Sequence, residues 1–139
     1  MIKESCEKTM VATIENIPVI TAFVDELLEK HNCPTKAQVQ VDIAIDELFS
    51  NIANYAYNPD VGPATVKVAV DDDPLSVIIT FIDNGVQYDP LAKEDPDVSL
   101  PASERQIGGL GIYMVKKSMD ELNYEYKNGQ NIFTIKKTF

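Results

Sequence analysis

Residues Val41 to Tyr57 read VDIAIDELFSNIANYAY. Apolar residues recur there at helical spacing. At about 100° per residue, Val41, Ala44, Ile45, Leu48, Ile52, Tyr55 and Ala56 share one broad face. That face is the expected core side of a long helix. Glu47, Asn51 and Asn54 stand at i, i+4 and i+7 and form a polar stripe along its flank, with Asp42, Asp46 and Ser50 on the other flank. Asparagine costs helix stability relative to alanine, so the stripe suggests that the amides are needed. A carboxylate can take a proton from a hydroxyl or a water. An amide oxygen is a hard ligand that suits Mg²⁺. On the helix alone, a solvated face is the better explanation of the stripe.

Upstream, Thr9 to Ile14 reads as a short first strand. A helix runs from Pro18 to His31, with Val19, Ile20, Phe23, Val24, Leu27 and Leu28 on its apolar side. Thr35 is the expected N-cap of the central helix, and Asn58-Pro59 ends it. Downstream, Ala64–Val70 and Leu75–Ile82 read as antiparallel strands. Val86 to Ile107 carries Pro90, Pro96, Pro101 and a run of acids (Glu94, Asp95, Asp97) without periodicity. So long an irregular stretch is usually a functional lid or disordered. Gly108 to Gly111 leads into the helix IYMVKKSMDEL. Leu122–Lys127 and Asn131–Phe139 then read as strands joined by an Asn128-Gly129 hairpin turn. The order β-α-α-β-β-lid-α-β-β predicts a two-layer α/β sandwich, a mixed and mostly antiparallel sheet with helices on one face. One domain is expected over 1–139, with a lid at about 86–111.

The chain carries 12 basic and 22 acidic residues, a net charge of −10. That argues against nucleic acid or an anionic membrane as the main partner. No apolar run approaches a membrane span. MIKESCEKTM lacks the apolar region of a signal peptide. Cys6 and Cys33 do not make a disulfide framework and fit reduced thiols in a cytoplasmic protein. His31, the one histidine, lies in a loop beside Cys33, and two ligands do not make a zinc site.

Two further motifs carry chemistry. Asp83-Asn84-Gly85 closes an apolar strand and feeds a loop rather than a second strand, because Pro90 soon follows. An aspartate there can accept a hydrogen bond from an exocyclic amine such as adenine's, and glycine lets a ring approach the backbone. Taken alone, it could be only a turn. Gly108-Gly109-Leu110-Gly111 opens a helix, where backbone N–H groups and the helix dipole favour phosphate. The alternative is a flexible hinge, since neither the P-loop nor the dinucleotide-fold spacing is present.

Taken in order, Glu-x-x-x-Asn on a helix, Asp-x-Gly at a strand end, a long lid and Gly-x-Gly opening a helix resemble the ATP-binding superfamily of gyrase, histidine kinases and mismatch-repair ATPases. Within it, the chain looks most like the small anti-sigma-factor serine kinases and their stand-alone relatives. The resemblance covers nearly the whole chain and implies the histidine kinase-like ATPase fold. It implies that Glu47 is the general base, Asn51 the Mg²⁺ ligand, Asp83 the adenine acceptor and Gly85 the glycine against the base. It implies that Gly109 and Gly111 bind phosphate, in the loop Gly108 to Gly111 that includes Leu110. Asn54 is added from the helical stripe, and Arg105 from its place in the lid as a donor to the γ-phosphate. Asn131 stands where the family often carries threonine next to adenine. Two departures stand out: Gln87 replaces the second glycine of the family's Asp-x-Gly-x-Gly box, and Tyr55 replaces a common histidine.

The activity so implied is serine/threonine-protein kinase activity. The γ-phosphoryl of Mg-ATP passes to a serine of an anti-anti-sigma (STAS) partner that competes with a sigma factor for the kinase, commonly a dimer. Two alternatives stay open. One is a non-catalytic, ATP-dependent switch acting on a protein partner. The other is a plain α/β domain whose motifs are coincidence.

Overall fold

A computed structural model describes residues 2–72, 74–92 and 110–139. Strand β1 (Ile2–Val11) is followed by helices α1 (Ile17–Lys30) and α2 (Thr35–Asn51), and a π-helical turn (Ile52–Ala56) extends α2. Strands β2 (Pro63–Asp71) and β3 (Ser76–Asp83), helix α3 (Leu110–Ser118) and strands β4 (Glu121–Lys127) and β5 (Gln130–Thr138) complete the order. The five strands form one sheet in the order β1-β2-β3-β5-β4. Every pairing is antiparallel, where a mixed sheet was expected. The crossover through α3 returns the chain to β4 at the sheet edge, and β5 then fills the place beside β3 by a hairpin. At that hairpin Asn128 and Gly129 have φ of 55° and 77°, the left-handed pair that a two-residue turn requires.

Side-chain parity sets the layers. In β2, Ala64, Val66, Val68 and Val70 are buried, and in β3 Val77, Ile79, Phe81 and Asp83 are buried. They meet Ile20, Val24 and Leu28 of α1 and Val41, Ile45, Leu48 and Phe49 of α2 in one core. Asp83 shares the parity of Ile79 and Phe81, so it points into the helix layer and not to solvent. No helix among the described residues is long and apolar enough to cross a membrane.

Several boundaries differ from the sequence expectation. The first strand starts at Ile2 instead of Thr9. Its added residues are mostly charged or polar, as suits an exposed sheet edge, so hydrophobicity does not reveal them. Thr35 is the first helical residue and not the N-cap. Pro34 holds the cap position, and its carbonyl accepts the Gln38 N–H at 3.0 Å. Helix α3 starts at Leu110, which puts Gly111 inside its first turn. Residues 86–92 of the expected lid are tied to the body. The Val86 N–H donates to the Ala56 carbonyl at 2.9 Å and the Tyr88 N–H to Asn131 Oδ1 at 3.0 Å, and the Leu91 side chain packs against the core. The acidic run Glu94, Asp95 and Asp97 lies outside the described residues.

Between α1 and α2, Asp25 and Asp42 each bury one carboxylate oxygen that has no donor. A proton shared between them satisfies both. Burial, the hydrogen bond to Asp25 and the nearby charges of Asp25 and Glu29 push the Asp42 carboxyl up to about 8. An unfolded aspartate titrates near 3.9, so between the two values the folded chain keeps a proton that the unfolded chain releases. The pair's contribution to stability is therefore complete below about pH 4 and lost as pH rises towards about 8. Asp42→Asn, whose amide can donate to Asp25 at any pH, is expected to flatten the fall of melting temperature over this range. Parallel pH profiles for variant and wild type would show that no proton is shared.

Candidate functional site

The cleft lies where the C-terminal end of α2 meets the ends of β3 and β5. It contains an apolar cavity of about 40 Å³ bounded by Leu48, Asn51, Ile52, Phe81, Asp83 and Phe133, among others. Leu48 and Ile52 come from the apolar face of the helix, and Phe81 and Phe133 are paired across β3 and β5.

Asp83 is 5% exposed at the cavity floor. Its Oδ1 accepts the Gly85 N–H at 2.9 Å and the Asn131 amide Nδ2 at 2.9 Å. Those bonds fix the carboxylate plane, and Oδ2 has no hydrogen bond among the described residues. An acceptor fixed in this way beside an apolar slot suits a flat heterocycle that donates one N–H from its edge. A Cβ on Gly85 would overlap the Ala56 carbonyl, so only glycine lets the turn close onto the helix end. Tyr57 clamps the same turn from the other side. Its hydroxyl accepts the Asn84 N–H at 2.8 Å and donates to the Pro63 carbonyl at 2.6 Å.

Asn131 is 6% exposed, and all its hydrogen-bonding capacity is used within the protein. Nδ2 donates to Asp83 Oδ1 and, at 2.9 Å, to the Val86 carbonyl. Oδ1 accepts from the Tyr88 N–H and from the Tyr124 hydroxyl. An amide with two donors and two acceptor sites filled has none left for a ligand.

Glu47 stands one turn before the end of α2 and is half-buried. A Cβ on Gly111 would overlap its carboxylate, so the first turn of α3 lies directly against Glu47. Burial pushes the Glu47 carboxyl up, and the Asp46 charge adds to the shift. The arrangement sets a carboxylate of raised basicity beside a helix N-terminus, where an anion is also favoured. Asn51, one turn on, is half-buried and lines the cavity.

Asn54, predicted to face this cleft, is exposed and is not among the cavity residues. The π-helical turn after Asn51 widens the coil, so the residue brought round to the cavity beside Asn51 is Tyr55, four positions on. Tyr55, predicted to lie in the core, is accordingly 55% exposed at the cavity mouth. Arg105, Gly108 and Gly109 lie outside the described residues. Leu110 is described only as the start of α3. Tyr57, Tyr88 and Tyr124 were not singled out in the sequence. The Asn128-Gly129 turn does contain a signal for Tyr124, because a two-residue hairpin there sets Tyr126 opposite Asn131 and Tyr124 on the diagonal.

The model of the histidine kinase-like ATPase domain matches residues 10–137. The serine-protein kinase RsbW of Bacillus mycoides is 26% identical over 137 residues, which is 96% of this chain and 84% of the relative. That of Bacillus cereus is 32% identical over 98 residues, 68% of this chain and 60% of the relative. The aligned part thus spans less than two thirds of the length of the Bacillus cereus protein. Among solved structures, the RsbU and RsbW domains of Rv1364c from Mycobacterium tuberculosis superpose with a TM-score of 0.70. That match is 20% identical and covers 98% of this chain and 32% of that one, and it shows the fold.

Proposed function

Because the chain belongs to the histidine kinase-like ATPase family, we propose that it binds Mg-ATP at Asp83 and transfers the γ-phosphoryl group to a serine of a protein partner. The observation that carries the reading is the fixed Asp83 carboxylate. One oxygen is committed to Gly85 and Asn131, and the other is available at the floor of an apolar slot. Adenine's 6-amino group supplies the matching donor, and its ring faces supply the apolar contact.

The donor set also fits Mg²⁺. The Asn51 amide is a hard oxygen ligand in the cleft, and no cluster of three acidic, histidine or cysteine ligands is present among the described residues. Mg²⁺ keeps several waters and takes few protein ligands, so the Asn51 amide oxygen would hold it together with the substrate phosphates. Once bound, the ion would offset charge on the phosphates. Asn51→Ala is expected to weaken ATP binding in Mg²⁺ and to leave binding in EDTA unchanged. Equal losses in both would remove the ligand role.

Glu47 takes the serine proton as the serine oxygen bonds to the γ-phosphorus, and the bond from that phosphorus to the β–γ bridging oxygen breaks, releasing ADP. Little else is asked of the protein beyond alignment. The names of the Bacillus relatives, serine-protein kinases, support a serine acceptor. The resemblance to anti-sigma kinases points to a STAS domain as the partner, with a sigma factor as its competitor. The same reading makes residues 1–139 one ATP-binding domain, cytoplasmic and working as a homodimer. Label passing from γ-labelled ATP to a purified STAS-domain protein tests it. ATP binding with no transfer would leave a nucleotide-dependent switch.

A further inference from the structure

Three tyrosines around the cavity have no part in the chemistry above. Tyr88 follows the Asp83-Asn84-Gly85 turn and is 39% exposed, a large aromatic surface left in water. Its ring meets that of Tyr55, with centroids 5.9 Å apart and planes tilted by 34°. Both rings line the cavity. The Tyr88 backbone is held from below, because its N–H donates at 3.0 Å to Asn131 Oδ1, the oxygen that also accepts the Tyr124 hydroxyl at 2.5 Å. The same asparagine holds Asp83. One saturated amide thus fixes both the acceptor at the floor and the backbone that carries the ring at the mouth.

We propose that Asn131 and Tyr124 are positioning residues that hold Tyr88 as a gate, its ring closing over the base of a nucleotide seated on Asp83. The proposal rests on the nucleotide reading and adds to it how the base is covered. In the structure the gate is shut against Tyr55. A flat base lying between two rings needs two carbon contact distances, about 7 Å, which exceeds the present separation. Entry therefore swings the Tyr88 ring aside while its backbone stays anchored on Asn131. The ring then returns onto the exposed face of the base. Asn131 contributes by orientation alone, since no atom of its amide is left for the ligand.

The test titrates ATP and tripolyphosphate, a probe with no base, in Mg²⁺ against wild type, Tyr88→Ala, Tyr88→Phe and Tyr124→Phe. Tyr88→Ala is expected to raise the Kd for ATP about tenfold or more, from the lost stacking, and to leave that for tripolyphosphate within about twofold. Tyr88→Phe keeps the ring and restores wild-type affinity. Tyr124→Phe removes one hydroxyl and raises the Kd for ATP by roughly threefold to tenfold, again sparing tripolyphosphate. Wild-type ATP affinity in Tyr88→Ala overturns the gate, and so do equal losses for the two probes. Wild-type affinity in Tyr124→Phe overturns the positioning role. A wild-type protein that binds no ATP at all overturns the nucleotide reading and the gate with it, whereas loss of the gate alone leaves wild-type binding intact.

Discussion

Asp83→Asn is expected to abolish the rise in melting temperature that Mg-ATP produces, with little change in the ligand-free protein. The retained Oδ1 can still accept from Gly85 and Asn131, so the turn and the β3–β5 end keep their bonds. The change falls on the other atom. Where the carboxylate offers Oδ2 to the base, asparagine offers an N–H, and two donors then face each other in an apolar slot. Losing a hydrogen bond to a charged group costs about 1.5–3 kcal/mol, and the opposed donors add to it, so affinity should drop roughly a hundredfold or more. At a ligand concentration of about 100 times the wild-type Kd, the wild type gains about 2.7 kcal/mol, several degrees for a domain of this size. The variant should gain almost none. Equal shifts in both proteins would mean that the nucleotide does not use Asp83.

Glu47→Gln is expected to separate binding from chemistry. Glutamine has the same shape, so the close approach of Gly111 is kept, and ATP affinity should stay within about threefold of wild type. The side chain can no longer take a proton, and general-base contributions run to about 10²–10⁴ in rate. Label transfer to a STAS-domain protein should fall by that factor. The pH profile gives a second readout. Glu47 must be ionised to act, so the rate rises with pH through its titration. Burial, with the Asp46 charge second, places that rise above the ordinary carboxylate range. Asp46→Asn removes the neighbouring charge and should move the acid limb to lower pH. An unmoved limb, or transfer at the wild-type rate in Glu47→Gln, would remove Glu47 from the role of base.

The elements legible in the sequence are those that bury a periodic face. The 3.6-residue pattern in α2 and the alternation in β2 and β3 come directly from the core they build. The parity of β3 carries Asp83 inward along with Ile79 and Phe81, which puts its carboxylate against the cavity. The illegible parts have physical reasons as well. Strand β1 lies at the sheet edge, and its first half is mostly charged or polar, which hydrophobicity does not mark. The π-helical turn has no local signature. It is fixed by distant partners, since the Ala56 carbonyl takes the Val86 N–H and Tyr57 bonds to both Pro63 and Asn84. That one widened turn carries Asn54 away from the cleft and brings Tyr55 to it. The saturation of Asn131 has no local signature, because its partners in space come from two other stretches of chain, residues 83–88 and Tyr124 of β4. Only their convergence shows that the amide is already saturated.

The direct measurement is isothermal titration of the wild-type protein with ATP and with ITP in Mg²⁺. The two differ at the position that should face Asp83, a 6-amino donor in one and a 6-oxo acceptor in the other. If Asp83 receives the base, ATP binds and ITP binds roughly tenfold to a hundredfold more weakly, the cost of setting an acceptor against a buried carboxylate. No heat of binding with ATP, or equal affinities for the two nucleotides, would contradict the assignment of this cavity as an adenine site.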